Sequence, residues 1–474
     1  MITASCPGKV LIVGGYLIVE TGNVGVSLGT TARFTTRVLS VDVHADDWCR
    51  IHVVSPQFGT EFTFKCSKDS DTDLVNIEQL SGKESPFLYF SVLYSVAAAV
   101  LRGFDIRFKV TLELLADNDF YSQRKYLEAQ GKAVTMENLR AIPSYVPLVG
   151  CVSKTGLGSS AAMSTSTVAC LVRLFNLRSN NASTVVDGGQ ALPQVGSFPL
   201  GDAEEVELVH RISQIAHCAA QAKIGSGFDV FTATYGTCVY RRFPPRFIEK
   251  IFTGCESTSS LAPSLLQECV SAKEAWVEHT PFRLPTDLEL LLGDIHQGGT
   301  PTPGMVSKVT AWRRKQGASC DGLWERLREN NEEYVTALAK LADYARKKTE
   351  EYQKSVEVLQ QVVLTHHDPI NNCEKLWIEA ARLASESRRL LREMGKAAGA
   401  EIEPTSLGKL LDATVELPGV FAVGCPGAGG YDAVFALTLG KEVRKAVERF
   451  WEGYNGLQVC PLLLCEDSSG LILS

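Results

Sequence analysis

The segment Lys154-Thr155-Gly156-Leu157-Gly158-Ser159-Ser160-Ala161-Ala162 constrains the fold more than any other stretch of this chain. Two glycines one residue apart let the backbone turn sharply and aim its amides at one point. The serine pair then opens an apolar run that reads as a helix ending near Asn176. A helix starting there directs the positive end of its dipole at the same point. That geometry suits phosphate, and a hydroxyl at the helix start also suits Mg²⁺. A plain turn with a serine cap satisfies the same residues, so both readings stand on this segment alone. The spacing is neither GxxxxGK[ST] nor GxGxxG, which sets aside those two nucleotide-binding loops.

Two further glycine-rich turns end in an acid. Gly225-Ser226-Gly227-Phe228-Asp229 follows a helix read over Glu204 to Lys223. Gly424-Cys425-Pro426-Gly427-Ala428-Gly429-Gly430-Tyr431-Asp432 separates two strands within Phe421 to Leu439. Glycine at this density permits close approach to a ligand or to another loop, and a tight turn between strands fits it equally. Near the start, Pro7-Gly8-Lys9 puts a lysine into an otherwise apolar strand pattern. Burying that charge is costly unless an anion stands opposite. Three turns and one lysine could therefore converge on an anionic substrate.

The remaining chain reads as α+β. Ala4 to Val19 suggests two strands with a tight turn, and Thr30 to Val43 and Arg50 to Cys66 alternate as half-buried antiparallel strands do. A helix over Pro86 to Arg102 precedes a strand over Ile106 to Leu115. Ala116 to Pro143 lacks sustained periodicity and reads as a long surface excursion with at most one short helix, and Ser179 to Gly201 as a loop. Pro244 and Pro245 mark a boundary, giving an N-terminal domain over 1–245 and a C-terminal domain over 246–474. Leu288 to His296 reads as strand. Asp321 to about Val363 and Asn371 to Lys396 read as long amphipathic helices, a helical insertion over about 321–396 with solvated charged faces.

Composition narrows the function classes. At 474 residues the chain has room for two to four domains with real cores. Lys plus Arg against Asp plus Glu gives 47 − 54 = −7, which argues against a protein that grips a nucleic-acid backbone. No apolar run reaches the roughly 18 residues a bilayer span needs, and no basic segment precedes the first apolar stretch as in a signal peptide. The 14 cysteines include no CxxC pair and read as buried small apolar residues rather than disulfides or zinc ligands. The expected location is the cytoplasm. A peroxisome-like organelle is the alternative, although Leu471-Ile472-Leu473-Ser474 is not the SKL signal.

Taken together, a strand-borne lysine, a GLGSSAA-type loop and a late glycine-rich turn, in that order, resemble the GHMP kinase superfamily. Within it the chain is similar to the fungal-type phosphomevalonate kinases. The matching stretches are Pro7-Gly8-Lys9 through Leu17, Lys154 to Ser160, Ala216-His217-Cys218, Lys223 to Asp229, Tyr240 to Pro245, Gly293-Asp294-Ile295 and Pro426 to Asp432. The resemblance implies a GHMP kinase fold: an N-terminal α+β domain of the ribosomal protein S5 domain 2 type, a C-terminal ferredoxin-like domain and added long helices. It implies γ-phosphoryl transfer from ATP to (R)-5-phosphomevalonate, with Mg²⁺, on the mevalonate route to isoprenoids and sterols. It implies small-molecule substrates, no nucleic-acid or membrane partner, and a monomer or weak homodimer.

By the same resemblance, Lys154, Thr155, Gly156, Leu157, Gly158, Ser159, Ser160 and Ala161 hold ATP, and Ser160 also faces Mg²⁺. Lys9 and Asp229 are the catalytic pair. Lys9, Tyr16, Lys154, Lys223, Ser226, Asp229, Ala428, Gly429 and Gly430 contact the acceptor. Two departures stand out. Mevalonate kinases carry Gly-Glu-His where this chain has Gly14-Gly15-Tyr16, and Cys218 falls where they carry a Mg²⁺-binding Glu.

Overall fold

The computed structural model describes residues 2–43, 48–148, 153–181, 203–254, 258–271, 276–277, 280–295 and 302–474. The loop expected over Ser179 to Gly201 falls almost wholly outside them. The strands are β1 (Thr3–Val13), β2 (Val24–Val43), β3 (Trp48–Ser55), β4 (Thr60–Lys68), β5 (Val75–Ser81), β6 (Phe108–Ala116) and β7 (Cys238–Arg241). They continue with β8 (Ser260–Leu261), β9 (Thr280–Pro281), β10 (Leu288–Ile295), β11 (Val420–Gly424), β12 (Ala433–Leu439), β13 (Val459–Pro461) and β14 (Ile472–Leu473).

Ten of these strands form one sheet in the order β14-β1-β2-β6-β3-β4-β5-β8, with β7 bridging β2 and β9. Every pairing in it is antiparallel except that of β3 with β6. Alternation explains the layer. In β3 each second residue, Cys49, Ile51, Val53 and Ser55, is buried, so one face turns inward. Helices α1 (Pro86–Leu101), α4 (Ser159–Asn181), α5 (Ala203–Ala220) and α6 (Phe228–Tyr235) pack together and against this sheet, and the short helices α7 (Arg246–Gly254) and α8 (Gln267–Ser271) follow them in the chain. Pro at the start of α1 supplies a preset φ where no amide partner is needed. The sheet draws on both ends of the chain, because β14 pairs with β1.

The second sheet, β11-β12-β10-β13, is antiparallel throughout. Its core joins Leu291, Val434 and Ala436 to Leu410 and Leu411 of α13 (Thr405–Val415) and Val447 and Trp451 of α14 (Gly440–Glu452). Between the sheets stand α9 (Thr302–Gln316), α10 (Asp321–Lys347), α11 (Thr349–Leu359) and α12 (Asn372–Ala398). Asn371 caps α12 by accepting from the Glu374 amide at 2.9 Å. In α10 the buried positions Trp324, Leu327, Tyr334, Leu338 and Leu341 recur at helical spacing, as expected. A separate core joins Tyr16 and Leu17 to Val309 of α9, Trp324 and Leu327 of α10, and Leu390 and Met394 of α12. The helical segment is thereby anchored to the turn after β1.

Two readings change. Ala4 to Val19 contains one strand, not two. Gly14 (φ 94°) and Tyr16 (φ 66°) turn the chain, and Leu17 and Ile18 are buried in a single 3₁₀ turn over Leu17–Val19. The stretch from Ala116 to Pro143 holds two short helices, α2 (Arg124–Ala129) and α3 (Met136–Arg140), and is not purely a surface excursion. Leu127, Met136 and Leu139 form a small core with Cys460. Its apolar residues are too few and too widely spaced to show a period, yet sufficient to dock the segment. The cysteines among the described residues are free and nearly all buried.

Candidate active site

The sequence-marked loops meet in one cavity of about 1070 Å³. The backbone of β1 places Lys9 beside the glycine loop, where its amide bonds to the Leu157 carbonyl at 2.9 Å. Its Nζ donates to the Gly156 carbonyl at 2.7 Å. Gly156 (φ 78°) and Gly158 (φ 72°) adopt left-handed conformations that side chains resist. At Gly158 a Cβ would lie 3.1 Å from Lys9 Cε and Cγ, so the close approach of lysine to loop needs this glycine. Burial pushes the Lys9 pKa down, and the carboxylates of Asp229 and Asp432 oppose that shift. Phe228 lies under the ammonium, its ring centre 5.4 Å away.

Asp229 sits in the first turn of α6, presented by Gly227 (φ 85°). Ser160, in the first turn of α4, stands 3.1 Å through Oγ from His217 Nε2, and that nitrogen is 3.7 Å from Asp229 Oδ2. His217 is buried, and its pKa is lowered by burial first, raised by Asp229 and lowered by Lys154 and Lys223. Asp432 of the third loop lines the same cavity. Tyr16 donates its hydroxyl to the Ala428 carbonyl at 2.5 Å, which ties the turn after β1 to that loop. Val306, Thr310, Arg313 and Arg314 of α9, with Trp324 of α10, also line the cavity.

Of the residues expected from sequence, Lys9, Tyr16, Lys154, Gly156, Leu157, Gly158, Ser159, Ser160, Lys223, Ser226, Asp229 and Ala428 line the cavity. Four do not. Thr155 is buried, and its hydroxyl donates to the Asp119 carbonyl. Ala161 is buried in the first turn of α4. Gly430 bonds through its amide to the Ile402 carbonyl at 2.9 Å, and a Cβ at Gly429 would strike that same carbonyl, so both glycines pack against backbone. Cys218 turns inward, its Sγ 3.3 Å from Gln214 Nε2. Its neighbour His217 faces the cavity instead.

Sequence reasoning missed His217 as a site residue, together with the α9 wall, and singled out Asp432 as the acid after a glycine-rich turn without giving it a role. His217 stands three residues before the end of α5 at Ala220, and only the bend of the following Gly225 turn brings it to Asp229. No cluster of three or more His, Cys, Asp or Glu that could hold a metal is found among the described residues. Ser160, Asp229 and Asp432 nevertheless give the cavity hard oxygen donors. These fit Mg²⁺, which is commonly held by one or two carboxylates and substrate phosphates rather than a protein cage.

Comparison with known proteins bears on the family and the fold. Residues 372–455 match the family model GHMP kinases C terminal. The chain is 34% identical to the Arabidopsis thaliana protein named phosphomevalonate kinase, peroxisomal, over 100% of this chain and 96% of that one. It is 30% identical to the Aspergillus fumigatus phosphomevalonate kinase erg8, over 91% of this chain and 86% of the other. In fold it is similar to Streptococcus pneumoniae phosphomevalonate kinase solved with phosphomevalonate and AMPPNP, at a TM-score of 0.56 and 15% identity over 98% and 99% of the two chains. The chain belongs to the phosphomevalonate kinase family of the GHMP kinases.

Proposed function

We propose that this chain transfers the γ-phosphoryl group of ATP to the phosphate of (R)-5-phosphomevalonate, giving (R)-5-diphosphomevalonate and ADP. The observation that carries this reading is the placement of Lys9 against the glycine loop, with Asp229 and Asp432 acting on its charge. An oxygen of the acceptor phosphate attacks the γ-phosphorus. The bond from that phosphorus to the β–γ bridging oxygen breaks, and its electron pair leaves with ADP. A phosphomonoester carries about −1.5 to −2 charges at pH 7, so it needs no base to become a nucleophile. Repulsion between two anionic substrates is the larger obstacle, and transfer depends on positioning and charge stabilisation.

Lys9 supplies positive charge where donor and acceptor meet. Asp229 and Asp432 oppose the loss of its proton that burial favours, a task separate from proton abstraction. Ser160, Asp229 and Asp432 are the residues that would hold Mg²⁺, whose chemistry is to neutralise charge on the transferred phosphates. Glycine-loop amides and the start of α4 favour the ATP phosphates. No helix among the described residues is long and apolar enough to cross a membrane. The cytoplasm is the location proposed, and fractionation against a peroxisomal marker tests it.

ADP release with purified protein, ATP and Mg²⁺ decides the acceptor. Turnover with 5-phosphomevalonate and none with mevalonate is expected. Turnover with mevalonate alone would identify a hydroxyl-directed kinase, and nucleotide binding without turnover a noncatalytic member.

A further inference from the structure

One buried polar side chain faces the cavity without a part in the reaction as described. His217, in the last turn of α5, is 3% exposed. Its Nε2 stands 3.1 Å from Ser160 Oγ and 3.7 Å from Asp229 Oδ2. One helical turn on, the Gln221 amide nitrogen lies 3.0 Å from Nδ1 and 3.3 Å from Nε2. The Phe87 ring packs 5.2 Å from the imidazole, tilted by 34°. The ring is thus held from three directions while one edge faces two residues expected to act on phosphate.

The Gln221 amide nitrogen lies within 3.3 Å of both ring nitrogens and does not choose between them, whereas Ser160 Oγ meets Nε2. A neutral imidazole with its proton on Nε2 donates it to that oxygen. That proton points into the gap between Ser160 and Asp229. Ser160 Oγ accepts it and keeps its own proton and one lone pair for other partners. A hydroxyl that would otherwise rotate is fixed, and Asp229 is held on the same side.

We propose that His217 is a positioning residue, which donates through Nε2–H to Ser160 Oγ and so fixes that hydroxyl beside Asp229. The inference rests on reading this cavity as the phosphoryl-transfer site. Its effect belongs in turnover more than in substrate affinity, because small misplacements of aligned groups cost rate.

Side-chain reach makes the test specific. In His217→Gln the amide nitrogen reaches about as far as Nε2, whereas in His217→Asn it reaches only as far as Nδ1. His217→Gln is expected to keep kcat within about threefold of the parent, while His217→Asn loses about 30-fold with KM for both substrates nearly unchanged. Equal losses in the two variants would overturn the proposal. Selective ¹⁵N-histidine NMR of the unaltered protein, with the His217 signal assigned from its absence in His217→Gln, reads the tautomer directly. The Nε2–H form is expected, and the Nδ1–H form would overturn the proposal whatever the kinetics. Should the unaltered protein release no ADP from ATP with 5-phosphomevalonate, the kinase reading fails, and the tautomer measurement still judges the placement of His217.

Discussion

On the β1 side of the cavity the polar groups are tied down, whereas on the α9 side they stand on an amphipathic helix. Lys9 is bonded to the glycine loop, Ser160 contacts His217, and Gly158 leaves no spare volume beside the lysine. On α9, Arg314 is exposed, while Arg313 is committed to Asp321 and to the Trp324 ring, 4.6 Å away. The first wall suits preorganised charge stabilisation, which works only if groups are fixed before reaction. The second suits recognition, which tolerates adjustment. Substitutions on the first wall should therefore lower kcat, and substitutions on the second should raise KM.

Lys9→Ala tests the division most severely and is expected to lower kcat about 10³-fold, the scale seen when one preorganised transition-state donor is removed. Lys154→Ala should also cost more than Asp229→Asn. A general base removed from an enzyme typically costs about 10²–10⁴-fold, and Asp229→Asn should cost less than that because the acceptor is already ionised. Steady-state kinetics of the three variants settle it. Should Asp229→Asn abolish turnover while both lysine variants stay near the parent, the charge-stabilisation account is wrong.

Two glycines give a steric form of the same contrast. Gly158→Ala adds a methyl 3.1 Å from Lys9 at a φ of 72°, and about a 10²-fold fall in kcat is expected as the lysine shifts. Gly427→Ala adds one in open space at a φ of 67°, so the cost is about 1–2 kcal/mol of left-handed strain, read as a lower thermal midpoint with turnover largely kept. Similar kinetics in the two variants would show that the close approach at Gly158 has no part in the reaction. On the recognition wall, Arg314→Ala should raise KM for 5-phosphomevalonate about fivefold at unchanged kcat, the ~1 kcal/mol of an exposed charge contact. A fall in kcat instead would remove the distinction between the walls.

The site was legible in sequence where chemistry needs an unusual residue locally. Glycines at 156 and 158, the lysine inside β1 and the acid after Gly227 each break a regular pattern, and each lines or shapes the cavity. The α9 wall broke none, since Val306, Thr310 and Arg314 look like any amphipathic helix. His217 sits within a helix whose neighbours Ala216 and Cys218 are also buried. Its role depends on a fold-level meeting of α4, α5 and α6. The fold was readable in the same measure. Alternation marked β3 and helical spacing marked α10 and α12, whereas the docked α2–α3 segment depends on partners such as Asp294 and Cys460, more than a hundred residues away.

That docked segment is also where the rigid wall is braced, and it supports the smallest expected effect on turnover. The Asp119 carbonyl accepts from Thr155 of the glycine loop, and its carboxylate accepts from the Leu463 amide at 3.3 Å. Burial raises its pKa to about 6, only partly offset by that amide. A carboxyl whose pKa is higher folded than unfolded binds more protons in the folded state. Its contribution is therefore full below about pH 4 and lost as the pH rises through 6. Asp119→Asn keeps an acceptor for Leu463 and cannot ionise. The variant should match the parent in stability near pH 4 and exceed it above pH 6 by about 1–2 kcal/mol, read as a higher thermal midpoint, with kcat unchanged at pH 7. A midpoint difference that does not vary between pH 4 and 8 would show that Asp119 carries no buried charge, and a drop in kcat would place it inside the working wall rather than behind it.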